Sequence, residues 1–316
     1  MRSAAATGAI VLLLTIPFLT QNQFLLHLAI TVLLWTVLGS AWNLLGGYAG
    51  QVSFGHATFF GVGAYVTMIL YLKLALAPWY GMVVGGMVAA LASLPIGYLC
   101  FRLRGPYFSL ATLAVAEIVR LVALNWEAVT NGPVGLLITT LPPVRFGARP
   151  VNWEEQSPFF YLVAMLAVVA MLVTYWLSRS RLGAYLLAIR EDEDTAESIG
   201  IDTVTTKVTV LALSAFFAGL AGGFYGLYYR YVDPDAVFPI ALSVEMVFMA
   251  VVGGLATVEG PVIGAIFLVT IGEVFRERFL VGHLIFYGLF MMLTIRYLPE
   301  GIWGGVRRVF SAHAPS

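Results

Sequence analysis

Apolar residues in this chain run in long blocks, and the charged residues that interrupt them are gathered into a few short stretches. No Asp, Glu, Lys or Arg occurs from residue 3 to residue 72. At ~1.5 Å per residue such a stretch crosses a hydrocarbon layer of ~30 Å about three times, which predicts spans at 4–20, 24–45 and 53–72. The same reading places further spans at 79–99, 107–124, 159–177, 208–229, 238–255, 262–275 and 284–297. The expected fold is all-α: a single polytopic helical membrane domain over residues 1–316, with about ten spans, some of them short or broken. The first block ends in Phe18-Leu19-Thr20-Gln21, without an A-x-A-like cleavage site, and is read as a span rather than a signal peptide.

Two stretches between spans are too long to be simple turns. Residues 125–158 carry Trp126, Trp153 and prolines at 133, 142, 143 and 150, with few periodic apolar positions, and predict an external aqueous cap. Residues 178–207 hold 10 of the chain's 34 charged residues between two apolar runs, and so must lie in water. Within them Leu182, Tyr185, Leu186 and Ile189 recur at the spacing of one helical face. Asp192, Glu193 and Asp194 then crowd where a second short helix would begin, and Gly200 stands where it would end. The expected element is helix, turn, helix.

Inside the spans a few residues stand out. Glycine fills the stretch before and into the third span, at 46, 47, 50, 55, 61 and 63, which suits a broken or closely packed helix. Asn43, Gln51, Ser53 and His56 are polar residues close together in an uncharged stretch, and either line a cavity or hydrogen-bond between helices. Glu117 and Arg120 are three apart on one helical face and predict a neutralising pair. Glu245 and Glu273 are further carboxylates at membrane depth. The run 218–223 is made of small residues that let helices approach closely.

Composition agrees with a membrane protein: 60% hydrophobic residues, 11% charged and a mean hydropathy of +0.90. The net charge is zero, which points to no nucleic-acid partner. Cys100 is the only cysteine, so an intrachain disulfide is excluded. With residue 1 inside, ten crossings leave ten Lys and Arg on the inner side and six outside. That bias puts both termini and the 178–207 loop in the cytoplasm.

The only lysines, Lys73 and Lys207, follow Leu and Thr, so a G-K-[ST] phosphate loop is excluded and any ATP must be hydrolysed by another chain. The four histidines have no H-x-x-H or H-E-x-x-H spacing, and no metal site is indicated.

Four ordered blocks carry a resemblance. They are WNLLGGYAGQVSFGH at 42–56, RGPYF at 104–108 leading to EIVR at 117–120, the loop from 188 to 200, and GGLATVEGPVIG at 253–264. Together they resemble LivM-type permease subunits of branched-chain amino acid ABC importers over about residues 38–297. Within the loop, DTAESIG at 194–200 resembles the EAA-x-x-x-G segment on which such permeases dock their ATPase, with Asp for the leading Glu and Thr for the first Ala. The resemblance implies a bacterial inner-membrane location, a related second permease subunit, two ATPase subunits that hold ATP and Mg, and a periplasmic substrate-binding protein. No cofactor is expected on this chain, and no catalytic residue. It implies an ATPase-coupling role for Arg190, Glu191, Asp192, Glu193, Asp194, Ala196, Glu197 and Gly200, with Ala196 packed against the partner. The implied mechanism is alternating access by amino acids, branched-chain first. Urea or short-amide transport is the neighbouring possibility, and the intramembrane charges leave an ion-coupled secondary transporter as a reading of another class.

Overall fold

The computed structural model describes residues 22–141, 144–146, 149–151, 153, 155–278 and 300–312, with isolated positions 15, 17, 288, 292, 296 and 297. The expected spans at 4–20 and 284–297 fall outside the described residues apart from those positions.

Helix α1, Gln23–Asn43, starts at Asn22, whose carboxamide accepts the Phe24 N–H at 2.9 Å. It runs on into one π-helical turn, Leu44–Tyr48. After an irregular segment at 49–55 come α2 (His56–Leu74), α3 (Pro78–Cys100) and α4 (Pro106–Asn125), the last two each beginning with a proline that needs no N–H partner. The segment that follows holds α5 (Glu127–Thr130) and three short strands, β1 (Leu136–Leu137), β2 (Val144–Phe146) and β3 (Arg149–Val151). Then come α6 (Gln156–Arg179), α7 (Arg181–Glu191), α8 (Glu193–Ser198) and α9 (Thr203–Tyr229). The chain continues with β4 (Tyr231–Val232), α10 (Pro234–Val237), α11 (Ile240–Gly253), α12 (Gly260–Arg278) and α13 (Gly301–Ala312). Among the described residues seven helical stretches are long and apolar enough to cross a membrane, and Gly260–Phe275 is a shorter apolar one.

Several boundaries move from those expected. The third span begins at His56 rather than residue 53, because the Ser53 hydroxyl accepts the Gly55 N–H at 3.2 Å and the Thr112 hydroxyl of α4 accepts the Phe54 N–H at 3.1 Å, which holds 53–55 in a turn. The sixth helix extends to Gln156 and Arg179. The seventh starts at Thr203, where the Asp202 carboxylate accepts the Thr205 N–H at 3.0 Å and caps the helix. Residues 203–207 therefore belong to a helix, and the connecting block is shorter than 178–207. The eighth span is not one helix over 238–255: Pro239, lacking an N–H, separates α10 from the 14-residue α11.

Helix α9 is the central post, packed against α2 and α3, while α1 packs against α6, α11 and α12. The close approach of α2 and α9 depends on glycine. A Cβ on Gly63 would lie 2.0 Å from the Gly219 carbonyl oxygen, and one on Gly222 would lie 1.9 Å from that of Phe60. No side chain fits at either crossing.

One end of the bundle carries the segment between α4 and α6, tied down as a folded cap. β1 pairs antiparallel with β4, Leu136 opposite Val232, and β2 pairs with β3. The Tyr71 hydroxyl donates to the Thr140 carbonyl at 2.5 Å, and Trp153 stacks on Trp79 at 5.6 Å between ring centroids. The opposite end carries α7 and α8.

Candidate functional site

The α7–α8 pair is built by local capping and held by long-range ion pairs. The Ser180 hydroxyl accepts the Gly183 N–H at 3.2 Å at the start of α7. Leu186 and Ile189 are buried beneath it, whereas Tyr185 of the expected apolar face turns outward. At α8 the Asp192 carboxylate accepts the Thr195 N–H at 2.7 Å. That backbone bond, with the Thr195 side chain, holds the Asp192 carboxyl below its ordinary value. Gly200 closes the helix at φ +89°, a left-handed conformation that favours glycine, with its N–H donating to Glu197 O at 2.9 Å and the Ile201 N–H to Ala196 O at 3.1 Å.

The acidic residues of this block are largely engaged within the chain. Glu193 pairs with Lys207 at 2.5 Å, and Lys207 is 1% exposed beneath the Phe101 ring. Asp194 pairs with Arg104, whose second nitrogen lies 3.6 Å from Glu197. Glu197 also accepts the Thr203 hydroxyl at 2.7 Å. Arg190 donates to the Gly47 carbonyl of the π turn at 2.8 Å. Thus α7–α8 is fastened to the foot of α4, to α9 and to the end of α1. Ala196, expected to pack against a partner, is already buried within its own chain, 2% exposed. In and beside α8 the exposed residues are Glu191, Asp192, Asp194, Thr195, Glu197, Ser198, Gly200 and Ile199, the last 72% exposed.

Of the four polar residues near the third span, three are buried and hydrogen-bonded. The Asn43 amide donates to Thr257 O at 2.8 Å and its oxygen accepts the Ala256 N–H at 3.0 Å, tying the π turn to the loop after α11. His56 lies between the hydroxyls of Ser53, at 3.2 Å, and Ser214, at 2.8 Å. The Trp42 indole donates to the Ser53 carbonyl at 2.8 Å. Gln51 differs. It is half-buried and lines an open groove of about 520 Å³ between the irregular segment and the foot of α4, with Val52, Phe54, Ser109 and Leu113.

The structure brings Glu117 and Arg120 together as a bidentate pair, at 2.6 and 3.0 Å, and adds Asp235 of α10 at 2.7 Å from the other side of the guanidinium. Glu245 on α11 and Glu273 on α12 are each half-buried. Sequence reading missed Lys207, Arg104, Ser214, Thr257 and Asp235. Only the last carries a local signal, an Asp-Pro-Asp run at a helix start.

Among the described residues seven apolar spanning stretches, one of them the glycine-packed post α9, with a charged helix pair at one end, define a multi-pass membrane protein. The chain belongs to the family described as branched-chain amino acid transport system / permease component, whose model matches residues 24–295. It is 32% identical to the high-affinity branched-chain amino acid transport system permease protein LivM of Escherichia coli, over 93% of this chain and 73% of the relative. It is 24% identical to the permease protein BraD of Pseudomonas aeruginosa, over 85% and 91%. A structural comparison finds PsaBC from Streptococcus pneumoniae in complex with Fab, at a TM-score of 0.47 and 13% identity, over 92% of this chain and 98% of that one.

Proposed function

We propose that this chain is the membrane-spanning subunit of an ATP-driven importer that moves branched-chain amino acids into the cytoplasm by alternating access. Family membership supports the class, and the names of the relatives support the substrate. The observation that carries the mechanism is the α7–α8 block. It stands outside the spans, and separate charged contacts tie it to α4 through Arg104, to α9 through Lys207 and to the π turn through Arg190. A displacement of this block is delivered to three membrane elements at once, which is what a coupling device between an ATPase and a permease must do.

In this reading α7–α8 faces the cytoplasm and meets one of two ATPase subunits, which hold ATP and Mg. The cap between α4 and α6 faces the periplasm and receives a substrate-binding protein. A related second permease completes the membrane part, in a bacterial inner membrane. Proteoliposomes holding the assembled importer should accumulate L-leucine only with the loaded binding protein outside and ATP inside. Uptake by this chain without the ATPase subunits, driven by an ion gradient, would overturn the proposal.

A further inference from the structure

Helix α4 has three distinct faces. Phe108, Thr112, Ala116 and Ala123 form the buried one. Ile118, Leu121 and Val122, each about half exposed or more, form an apolar one, with Leu110 at the edge of the groove that Gln51 lines. Between them runs a half-buried seam, Ser109, Leu113, Glu117 and Arg120, in steps of four, four and three residues that keep them on one line. At its foot the seam opens into the groove walled by Gln51, Val52 and Phe54. That wall is irregular backbone, and the Phe54 N–H reaches the Thr112 hydroxyl at 3.1 Å, about 9 Å up α4 from Pro106 at ~1.5 Å per residue. At its top Arg120 bridges Glu117 to Asp235, which is 71% exposed.

Lipid cannot cover such a seam. Irregular backbone at membrane depth is tolerated only within protein or against water, and ionised side chains inside the membrane face a cavity or a bundle interior. Within this one chain the seam is only half covered. We infer that the α4 seam, from Gln51 and Ser109 to Arg120 and Asp235, is a water-lined wall of the substrate path. The inference rests on the importer reading and names the side chains that serve it. It replaces Asn43, Ser53 and His56, whose hydrogen bonds close them off from any path, and keeps Gln51.

The chemistry of the seam also specifies the cargo. At the inner end Gln51 and Ser109 stand among the apolar Val52, Phe54, Leu110 and Leu113, and both signs of charge sit side by side at the outer end. A small zwitterion, carrying one carboxylate and one ammonium, can exchange with the Glu117–Arg120–Asp235 contacts group for group. Urea or an uncharged amide can hydrogen-bond to these groups but brings no charge to replace either one.

Single cysteines test this in a Cys100→Ala background, in inner-membrane vesicles holding the assembled importer. Ser109→Cys and Leu113→Cys should react with a cationic methanethiosulfonate at least about tenfold faster than Ile118→Cys on the apolar face. L-leucine with its binding protein should slow that reaction, and urea at the same concentration should not. Equal, slow reaction at all three positions places the seam against lipid or a partner helix and overturns the inference. Reaction at 109 and 113 that L-leucine leaves unchanged overturns the assignment to the substrate path, and protection by urea overturns the zwitterion assignment. Failure of the importer reading is read separately, from ATP-dependent uptake by the Cys100→Ala parent.

Discussion

At the residue scale the Lys207–Glu193 pair shows what burial does to a charge. An ammonium that is 1% exposed is tolerated because Glu193 meets it at 2.5 Å and the Phe101 ring lies over it at 5.2 Å. Removing one member leaves the other buried without compensation. Lys207→Ala should therefore destabilise the purified protein by about 3–5 kcal/mol, whereas the paired change Lys207→Met with Glu193→Gln should cost far less. Thermal unfolding of the two variants in detergent compares them, and equal losses would show that the pair is not coupled. Asp192 gives a second test. Its carboxyl titrates below its ordinary value in the folded chain, chiefly through the Thr195 N–H. The cap is then complete above the unfolded carboxylate value and is lost as pH falls through the lower, folded value. On acidification through the carboxylate range, amide exchange at 195–197, corrected for intrinsic rates, should rise toward that of Asp192→Ala, which should show no such rise itself.

At the element scale the bundle is held where helices touch through glycine. With the Gly219 carbonyl 2.0 Å from the site of a Cβ on Gly63, Gly63→Ala must push α2 and α9 apart. The expected loss is about 1–3 kcal/mol. Gly105→Ala, where a Cβ would meet nothing within 4 Å, tests conformation alone, since φ is +55° there. The spanning elements were legible in sequence because the demand that fixes them, an apolar run of about 20 residues, is one-dimensional. Their ends were less so. Lys207 read as part of a loop because the carboxylate that permits it inside α9 lies 14 residues away, beyond any local pattern. The same reason hid the setting of the polar residues. Asn43 finds its partner 214 positions on, in Thr257, and His56 finds Ser214 158 positions on. Polarity in an apolar stretch announces that a partner exists, but not whether it is a helix or a substrate. Glu117 and Arg120 were legible as a pair because they are three apart, while Asp235, which completes them, is 115 positions from Arg120.

At the scale of the whole molecule, the proposed importer raises the question of which surface would take the force of ATP hydrolysis. The acidic residues of 190–197 were the natural candidates, yet Glu193, Asp194 and Glu197 are engaged with Lys207, Arg104 and Thr203. Ala196 is 2% exposed, so Ala196→Arg would break α8 from within, and loss of assembly in that variant would say nothing about docking. Gly200→Asp is also compromised, because φ is +89° even though a Cβ there would meet nothing within 4 Å. Ile199 is the informative position. It is a large apolar side chain, 72% exposed, at the tip of a helix that lies outside the spans. A residue with so few contacts in its own chain can be changed with little effect on folding, within about 0.5 kcal/mol. If the ATPase covers it, Ile199→Asp buries a charge in an apolar contact and should weaken ATPase binding by about 2 kcal/mol or more, the size expected of an interface anchor. Ile199→Leu should keep most of the affinity. The readout is copurification of the ATPase subunits with the permease from detergent, together with substrate-stimulated ATP hydrolysis in proteoliposomes, on preparations matched for unfolding temperature. Wild-type assembly and stimulation by Ile199→Asp would move the docking surface away from the tip of α8, toward the exposed side of α7 that carries Tyr185 and Leu187.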